Sequence, residues 1–168
     1  MRHIINIEVE NQAGVLARIS GLFSARGFNI ESLSVSHVDT KTSNMTMVVR
    51  GDDWVIEQIN KQLNKLIDVI RVTDITTSGR DYVNRELVLA KVHCPSSKRG
   101  DITNLVDIFR AKVVDISNHS VTLELTGSEK KINAFLETLK PFGIKDLART
   151  GSIAMIREFH DKTLSNHV

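Results

Sequence analysis

The apolar residues of this chain switch between a two-residue period and a helical period in one fixed order, and that order occurs twice. Ile5, Ile7 and Val9 alternate with Asn6 and Glu8, as in a strand with one buried face. Val15, Leu16, Ile19, Leu22 and Phe23 then recur at helical spacing, with Arg18 and Arg26 off the stripe and Gly27 where a C-terminal cap belongs. A second strand is expected over 30–38, a polar turn over 39–44, and a third strand through Met45, Met47 and Val49. Asp52 and Asp53 open a second helix, where negative charge suits the positive end of the helix dipole. Its buried stripe is Val55, Ile56, Ile59, Leu63 and Leu66, and a strand over 69–76 closes the unit.

Beyond the polar stretch Thr77-Ser78-Gly79-Arg80-Asp81 the order recurs. A strand is expected over 86–93, a helix over 101–109, and strands over 113–116 and 121–125 joined across Asn118-His119. Ser128 caps a helix carrying Ile132, Phe135, Leu136 and Leu139, and a closing strand starts at 144–148 after Pro141 and Gly143. The fold class that follows is α+β, with two consecutive ferredoxin-like βαββαβ domains at 2–77 and 85–158. A linker is expected at 78–84 and a polar tail at 159–168. In this topology the second strand lies at a sheet edge. Here it carries Ser32, Ser34 and Ser36 on one side, Leu33 and Val35 on the other, and no proline or lysine before Lys41 to guard it. Such an edge tends to acquire a partner strand, so a homodimer through the first domain is expected.

Composition excludes several function classes. A net charge of +2 is too small to imply a nucleic-acid partner, and 5% aromatic residues leave little for base stacking. The single cysteine, Cys94, has no internal partner, in keeping with a reducing cytoplasm. No apolar run approaches the roughly 20 residues of a membrane span. The six histidines are scattered, and His93 beside Cys94 lacks the spaced partners of a zinc site, so no metal site is expected. No serine sits in a nucleophile elbow, no phosphate-cradling glycine loop is present, and Asp52-Asp53 reads as a helix start. No catalytic residue is expected.

The one feature with recognition chemistry is Asn11-Gln12-Ala13-Gly14-Val15-Leu16, where the first strand gives way to the first helix. A helix start offers backbone N–H groups without intrahelical partners and a partial positive charge, which attract a carboxylate. Gly14 leaves room for close approach, and Asn11 offers a donor and an acceptor to a zwitterion. Gly27-Phe28-Asn29-Ile30 brings a second asparagine to the far end of the same helix. The plain alternative is an ordinary tight turn, with Gly14 left-handed and Asn11 bonded to its own backbone.

The first unit resembles an ACT domain, a small amino-acid-binding regulatory fold, and the likeness goes beyond fold class. Glu10-Asn11-Gln12-Ala13-Gly14-Val15-Leu16, Gly21-Leu22-Phe23-Ser24, Arg26-Gly27-Phe28-Asn29-Ile30-Glu31-Ser32-Leu33 and Gln58-Ile59-Asn60-Lys61-Gln62-Leu63 resemble the regulatory small subunits of acetolactate synthase (acetohydroxyacid synthase). In the second unit, Arg85-Glu86-Leu87, Ile108-Phe109-Arg110-Ala111, Val114-Asp115-Ile116, Phe142-Gly143-Ile144-Lys145 and Ala148-Arg149-Thr150-Gly151 extend the likeness. The segment 37–44 departs from that family's pattern, with Asn44 where an arginine is common.

The resemblance implies a non-catalytic chain. The chemistry would belong to a large subunit carrying thiamine diphosphate, magnesium and FAD, which condenses pyruvate with a second 2-keto acid on the way to valine, leucine and isoleucine. The small subunit would raise that activity and confer feedback inhibition by valine, with no cofactor of its own. Carried over by position, Asn11, Gly14, Val15 and Leu16 of one protomer and Asn29 and Ile30 of the other would hold the effector. The alternative is a stand-alone ACT-type sensor acting on another enzyme. An acylphosphatase-like enzyme on the same fold would need an arginine in the first turn, where none precedes Arg18. An RNA-binding module would show aromatics on the central strands, yet the third strand reads Met45-Thr46-Met47-Val48-Val49.

Overall fold

The structure is a computed structural model that describes residues 1–158; the expected tail at 159–168 lies outside the described residues. The first half runs β1 (Arg2–Glu10), α1 (Val15–Ala25), β2 (Ile30–His37), β3 (Thr42–Arg50), α2 (Asp53–Leu63) and β4 (Val69–Asp74). The second runs β5 (Tyr82–His93), α3 (Arg99–Phe109), β6 (Lys112–Ile116), β7 (Ser120–Gly127), α4 (Glu129–Leu139), β8 (Ile144–Arg149) and β9 (Ile153–Ile156). The sheets order as β2-β3-β1-β4 and β6-β7-β5-β8, antiparallel throughout, as the repeated βαββαβ pattern requires.

Each sheet buries one face under its two helices. Ile5, Ile7 and Val9 of β1 meet Ile19 and Phe23 of α1 and Ile59 and Leu63 of α2 in one core. In the other, Val88, Ala90 and Val92 of β5 meet Ile132, Phe135 and Leu139 of α4. The helix ends follow from local chemistry. Asp52 accepts the Val55 N–H at 2.9 Å to start α2, and Ser128 accepts the Lys131 N–H at 3.4 Å to start α4. α1 stops where Gly27 takes φ +68°, so that the Phe28 N–H reaches Phe23 O at 3.0 Å and the Gly27 N–H reaches Ser24 O at 3.1 Å. These paired bonds close the last turn as a Schellman cap.

The duplication reaches the irregularities of the strands. The β1–β4 ladder shifts register between Glu8 and Val9, and the β5–β8 ladder shifts between Lys91 and Val92. The β2–β3 ladder shifts between Ile30 and Ser32, and the β6–β7 ladder between Val113 and Asp115. Residue identity has diverged between the halves, while the backbone devices that bend each sheet recur in place.

Three expectations are corrected. The strand β5 begins at Tyr82, inside the stretch 78–84 expected as linker, and the extra strand β9 follows the expected closing strand. Tyr82–Arg85 pairs with Ile153–Ile156 as a two-stranded ribbon. Tyr82, Ala154 and Ile156 of this ribbon pack on Ile4, Val48 and Ile75, which lie on the first sheet's face away from its helices. A sheet face carrying these buried aliphatics needs cover, and the sequence around the expected linker provides it. Third, β3 starts at Thr42, so the polar turn is shorter than 39–44; Asp39 Oδ1 accepts the N–H groups of Lys41 at 2.7 Å and Thr42 at 2.8 Å.

The caps give a direct test. Asp52→Ala is expected to lower unfolding free energy by about 1 kcal/mol, and Ser128→Ala by less because its bond is longer. Urea titration reads both as a lower midpoint with an unchanged slope. An unaffected Asp52→Ala midpoint would show that the α2 cap contributes nothing.

Candidate functional site

The turn between β1 and α1 is anchored from both neighbouring strands' loops. The Glu10 N–H donates to Asp68 O at 2.9 Å, the Asn11 N–H to Lys41 O at 2.7 Å, and the Gln12 N–H to Glu10 O at 3.0 Å. Gly14 follows at φ +88°, ψ −11°, the left-handed region that glycine adopts most readily. Unlike α2 and α4, α1 has no side-chain cap and no acidic residue in its first turn. Among the described residues, the backbone N–H groups of Ala13, Gly14, Leu16 and Ala17 have no acceptor. The exposed, positively polarised end of α1 is therefore uncompensated.

Arg18 brings a further donor to that end, in an arrangement with no local sequence signal. Its Nε donates to Asp68 Oδ2 at 2.7 Å, with the Asp68 carboxylate nine-tenths buried. This bond folds the guanidinium back over the turn, where Nη1 lies 3.3 Å from the position a Gly14 Cβ would take. Helical spacing places Arg18 one turn beyond Gly14, but nothing local signals a partner 50 residues away.

The six sequence-picked residues divide into two groups. Asn11 and Asn29 are exposed, and among the described residues neither side chain has a hydrogen-bond partner. The tight-turn reading is thus half right: Gly14 is left-handed, but Asn11 does not bond to its own backbone. Leu16 is 43% exposed, although its spacing assigned it to the buried stripe. Val15 is 3% exposed and belongs to the core, so only its backbone faces the turn. Ile30 is half-buried against the same core. Asn29 and Ile30 stand at the opposite end of the 11-residue α1 from Gly14, a helix length of about 16 Å. A single chain does not bring the two groups together.

Away from the turn, a cavity of about 360 Å³ sits between the halves, lined by Arg2, Glu31, Glu86, Glu129 and Arg149 among others. There Arg149 forks onto Glu86 through Nε and Nη2, the latter at 2.9 Å, and this hydrogen-bonded pairing raises the arginine's pKa above its ordinary value despite partial burial. Among the described residues no group of three or more His, Cys, Asp or Glu side chains is placed to hold a metal ion, and Cys94 is buried. No described helix is long and apolar enough to cross a membrane.

Comparison with known proteins adds an independent finding. Residues 5–71 match the family described as the AHAS small subunit-like ACT domain, and residues 85–158 match the small subunit of acetolactate synthase. A probable acetolactate synthase small subunit of Archaeoglobus fulgidus is 54% identical over 94% of this chain and 98% of its own length. The acetolactate synthase small subunit of Aquifex aeolicus is 52% identical over 98% of this chain and 86% of its own. Among solved structures, the acetolactate synthase small subunit of Thermotoga maritima superposes with a TM-score of 0.87 at 38% identity, covering 95% of this chain and 99% of that one. The fold, the duplicated order and these full-length likenesses agree: the chain belongs to the acetolactate synthase small-subunit family.

Proposed function

We propose that this chain is the regulatory subunit that activates the large catalytic subunit of acetolactate synthase and makes it sensitive to valine. The observation that carries this reading is the uncapped, left-handed Gly14 turn in a chain about half identical to acetolactate synthase small subunits. The effector's carboxylate meets the free N–H groups of Ala13, Gly14, Leu16 and Ala17, with the Asp68-paired Arg18 offering a further N–H donor beside them. Its ammonium meets the Asn29 side chain and backbone oxygens at the C-terminal end of another α1, where the helix dipole is negative. The exposed Leu16 and the half-buried Ile30 offer apolar surface to an aliphatic side chain. The thiamine diphosphate, magnesium and FAD chemistry is assigned to the large subunit.

The site needs two protomers, because each α1 holds its two halves at opposite ends. The edge strand β2 provides the means, since among the described residues no strand pairs with its outer edge. Isologous antiparallel pairing of β2 with its copy sets the two α1 helices antiparallel. The Gly14 end of one then faces the Asn29 end of the other, and the two-fold repeats the site. Analytical ultracentrifugation at micromolar concentration is expected to give a dimer; a monomer would leave the site without its second half.

Two further outcomes are expected. Mixed with its large subunit, the chain should raise the rate of acetolactate formation, and valine should suppress that gain; no change in rate and no inhibition would overturn the reading. Gly14→Asp should abolish valine binding by calorimetry, because it sets a carboxylate where the ligand's own belongs. The left-handed backbone costs an L-residue roughly 1–2 kcal/mol, so circular dichroism should still report a folded chain. Unchanged affinity in a folded variant would put the site elsewhere.

A further inference from the structure

The loop from Thr150 to Ser152, between β8 and β9, is fastened to the strand that leads out of the effector junction. Ser34 Oγ donates to Thr150 O at 2.8 Å, and the Ser152 N–H donates to Ser32 Oγ at 3.1 Å. Gly151 between them takes φ +79°, and a Cβ there would collide with Ser32 Oγ and approach Ser34 Oγ to 3.4 Å. Only a glycine lets the loop lie this close to β2 in this conformation. Ser32 and Ser34, on one side of the edge strand, are the attachment point of the other half.

On its far side the same loop is tied to β5, an inner strand of the second sheet. The Thr150 N–H donates to Leu87 O at 3.1 Å, and Thr150 Oγ1 accepts the Leu87 N–H at 3.1 Å. Adjacent Arg149 forks onto the buried Glu86. A second connection starts one residue after Ile30. Glu31 sits at the register shift of β2 and pairs with Arg50 and, at 3.6 Å, with Arg2; Arg2 also holds Glu129, at the first position of α4, at 2.9 Å. A bulge is where a strand changes its aim without losing its ladder. The effector junction at Asn29–Ile30 is thus followed directly by a pliable point, an ion-pair bridge and a hydrogen-bonded strap, all ending on the second half.

We propose that the Thr150–Ser152 loop is the coupling strap through which occupation of the effector junction changes the second half of the chain and so the catalytic partner. This rests on the effector reading given above and adds the route of its action. An effector that closes on Asn29 and Ile30 shifts the start of β2 at the Glu31 bulge. Ser32 and Ser34 carry that shift into the Thr150–Ser152 backbone, and Thr150 passes it to Leu87 of β5. Directional hydrogen bonds transmit such a change because they hold only over a narrow geometry, whereas the apolar contact beneath the ribbon tolerates sliding.

The test combines hydrogen exchange with two variants of the full chain in the reconstituted holoenzyme. In the unaltered protein, saturating valine should change exchange at the Ala13–Ala17 amides and also at the Ser152 and Leu87 amides. The double variant Ser32→Ala with Ser34→Ala removes the strap's bonds without adding bulk, and Gly151→Ala forces the loop away. Both should still activate the large subunit and bind valine within about twofold of normal. The valine concentration for half-inhibition should rise about tenfold, within the range typical of a lost allosteric coupling. Protection at Ala13–Ala17 with no change at Ser152 and Leu87 would overturn the strap while leaving the effector reading intact. Normal inhibition in the Ser→Ala variant would do the same. No protection at either place and no heat of valine binding would overturn the effector reading itself. If Gly151→Ala proves unfolded, the exchange data and the Ser→Ala variant decide alone.

Discussion

A four-stranded antiparallel sheet with both helices on one side leaves its other side to be covered, and the first sheet of this chain cannot leave it bare. Ile4, Val48 and Ile75 are all at most 2% exposed there, and they owe that burial to the ribbon formed by the start of β5 and by β9. The ribbon explains why β5 is twelve residues long, why a ninth strand exists, and why the stretch between the repeats is not a free linker. Around this small apolar centre the contact turns polar, with Ser32, Ser34, the Thr150–Ser152 loop and the Arg2–Glu129 pair. An interface of that kind holds two units in register without fusing them into one core, and it leaves room for relative motion.

Much of this architecture was legible because hydrophobic period is a local property. The alternation of Ile5, Ile7 and Val9, the helical recurrence from Val15 to Phe23, and the caps at Asp52, Ser128 and Gly27 each depend on neighbours a few residues apart. The ribbon was not legible for the opposite reason. Tyr82 to Arg85 and Ile153 to Ile156 are short, pair across about seventy residues, and have no strong alternation of their own. The candidate site shows the same division. A glycine between a strand and a helix announced the left-handed turn, but periodicity placed Leu16 in the core and could not foresee Arg18 tied to Asp68 above Gly14. The serines of β2 mark one side of an edge strand in the sequence. Their partner is a glycine loop more than a hundred residues on, beyond the reach of any local rule.

The two ends of α1 carry opposite partial charges, and an amino acid's two charged groups are complementary to them. Within one protomer these ends are separated by the length of the helix, far more than a single amino acid spans. In the dimer proposed above, side-by-side antiparallel helices would place unlike ends next to each other, so that symmetry would supply what the single fold withholds. Such a site would sense dimer geometry as much as ligand. Whatever binds across it favours the arrangement in which both halves are close, and it can act on a partner only through that difference in affinity.

Magnitudes argue that neither half would suffice alone. A hydrogen bond to a charged group contributes about 1.5–3 kcal/mol, and part of that is spent on immobilising the ligand. Binding at 1 mM already requires about 4 kcal/mol net. A carboxylate resting on the Gly14 turn would therefore be held at best weakly, and any small carboxylic acid would do equally well. Adding Asn29 and the negative helix end selects for an ammonium group, and adding Leu16 and Ile30 selects for an apolar side chain of limited size. In the proposed dimer, selectivity would thus come from the second protomer more than from the Gly14 turn. By linkage, an effector that prefers the closed dimer must also strengthen that dimer. Under the proposed reading, the output would be a change in assembly geometry that the attached second half passes on.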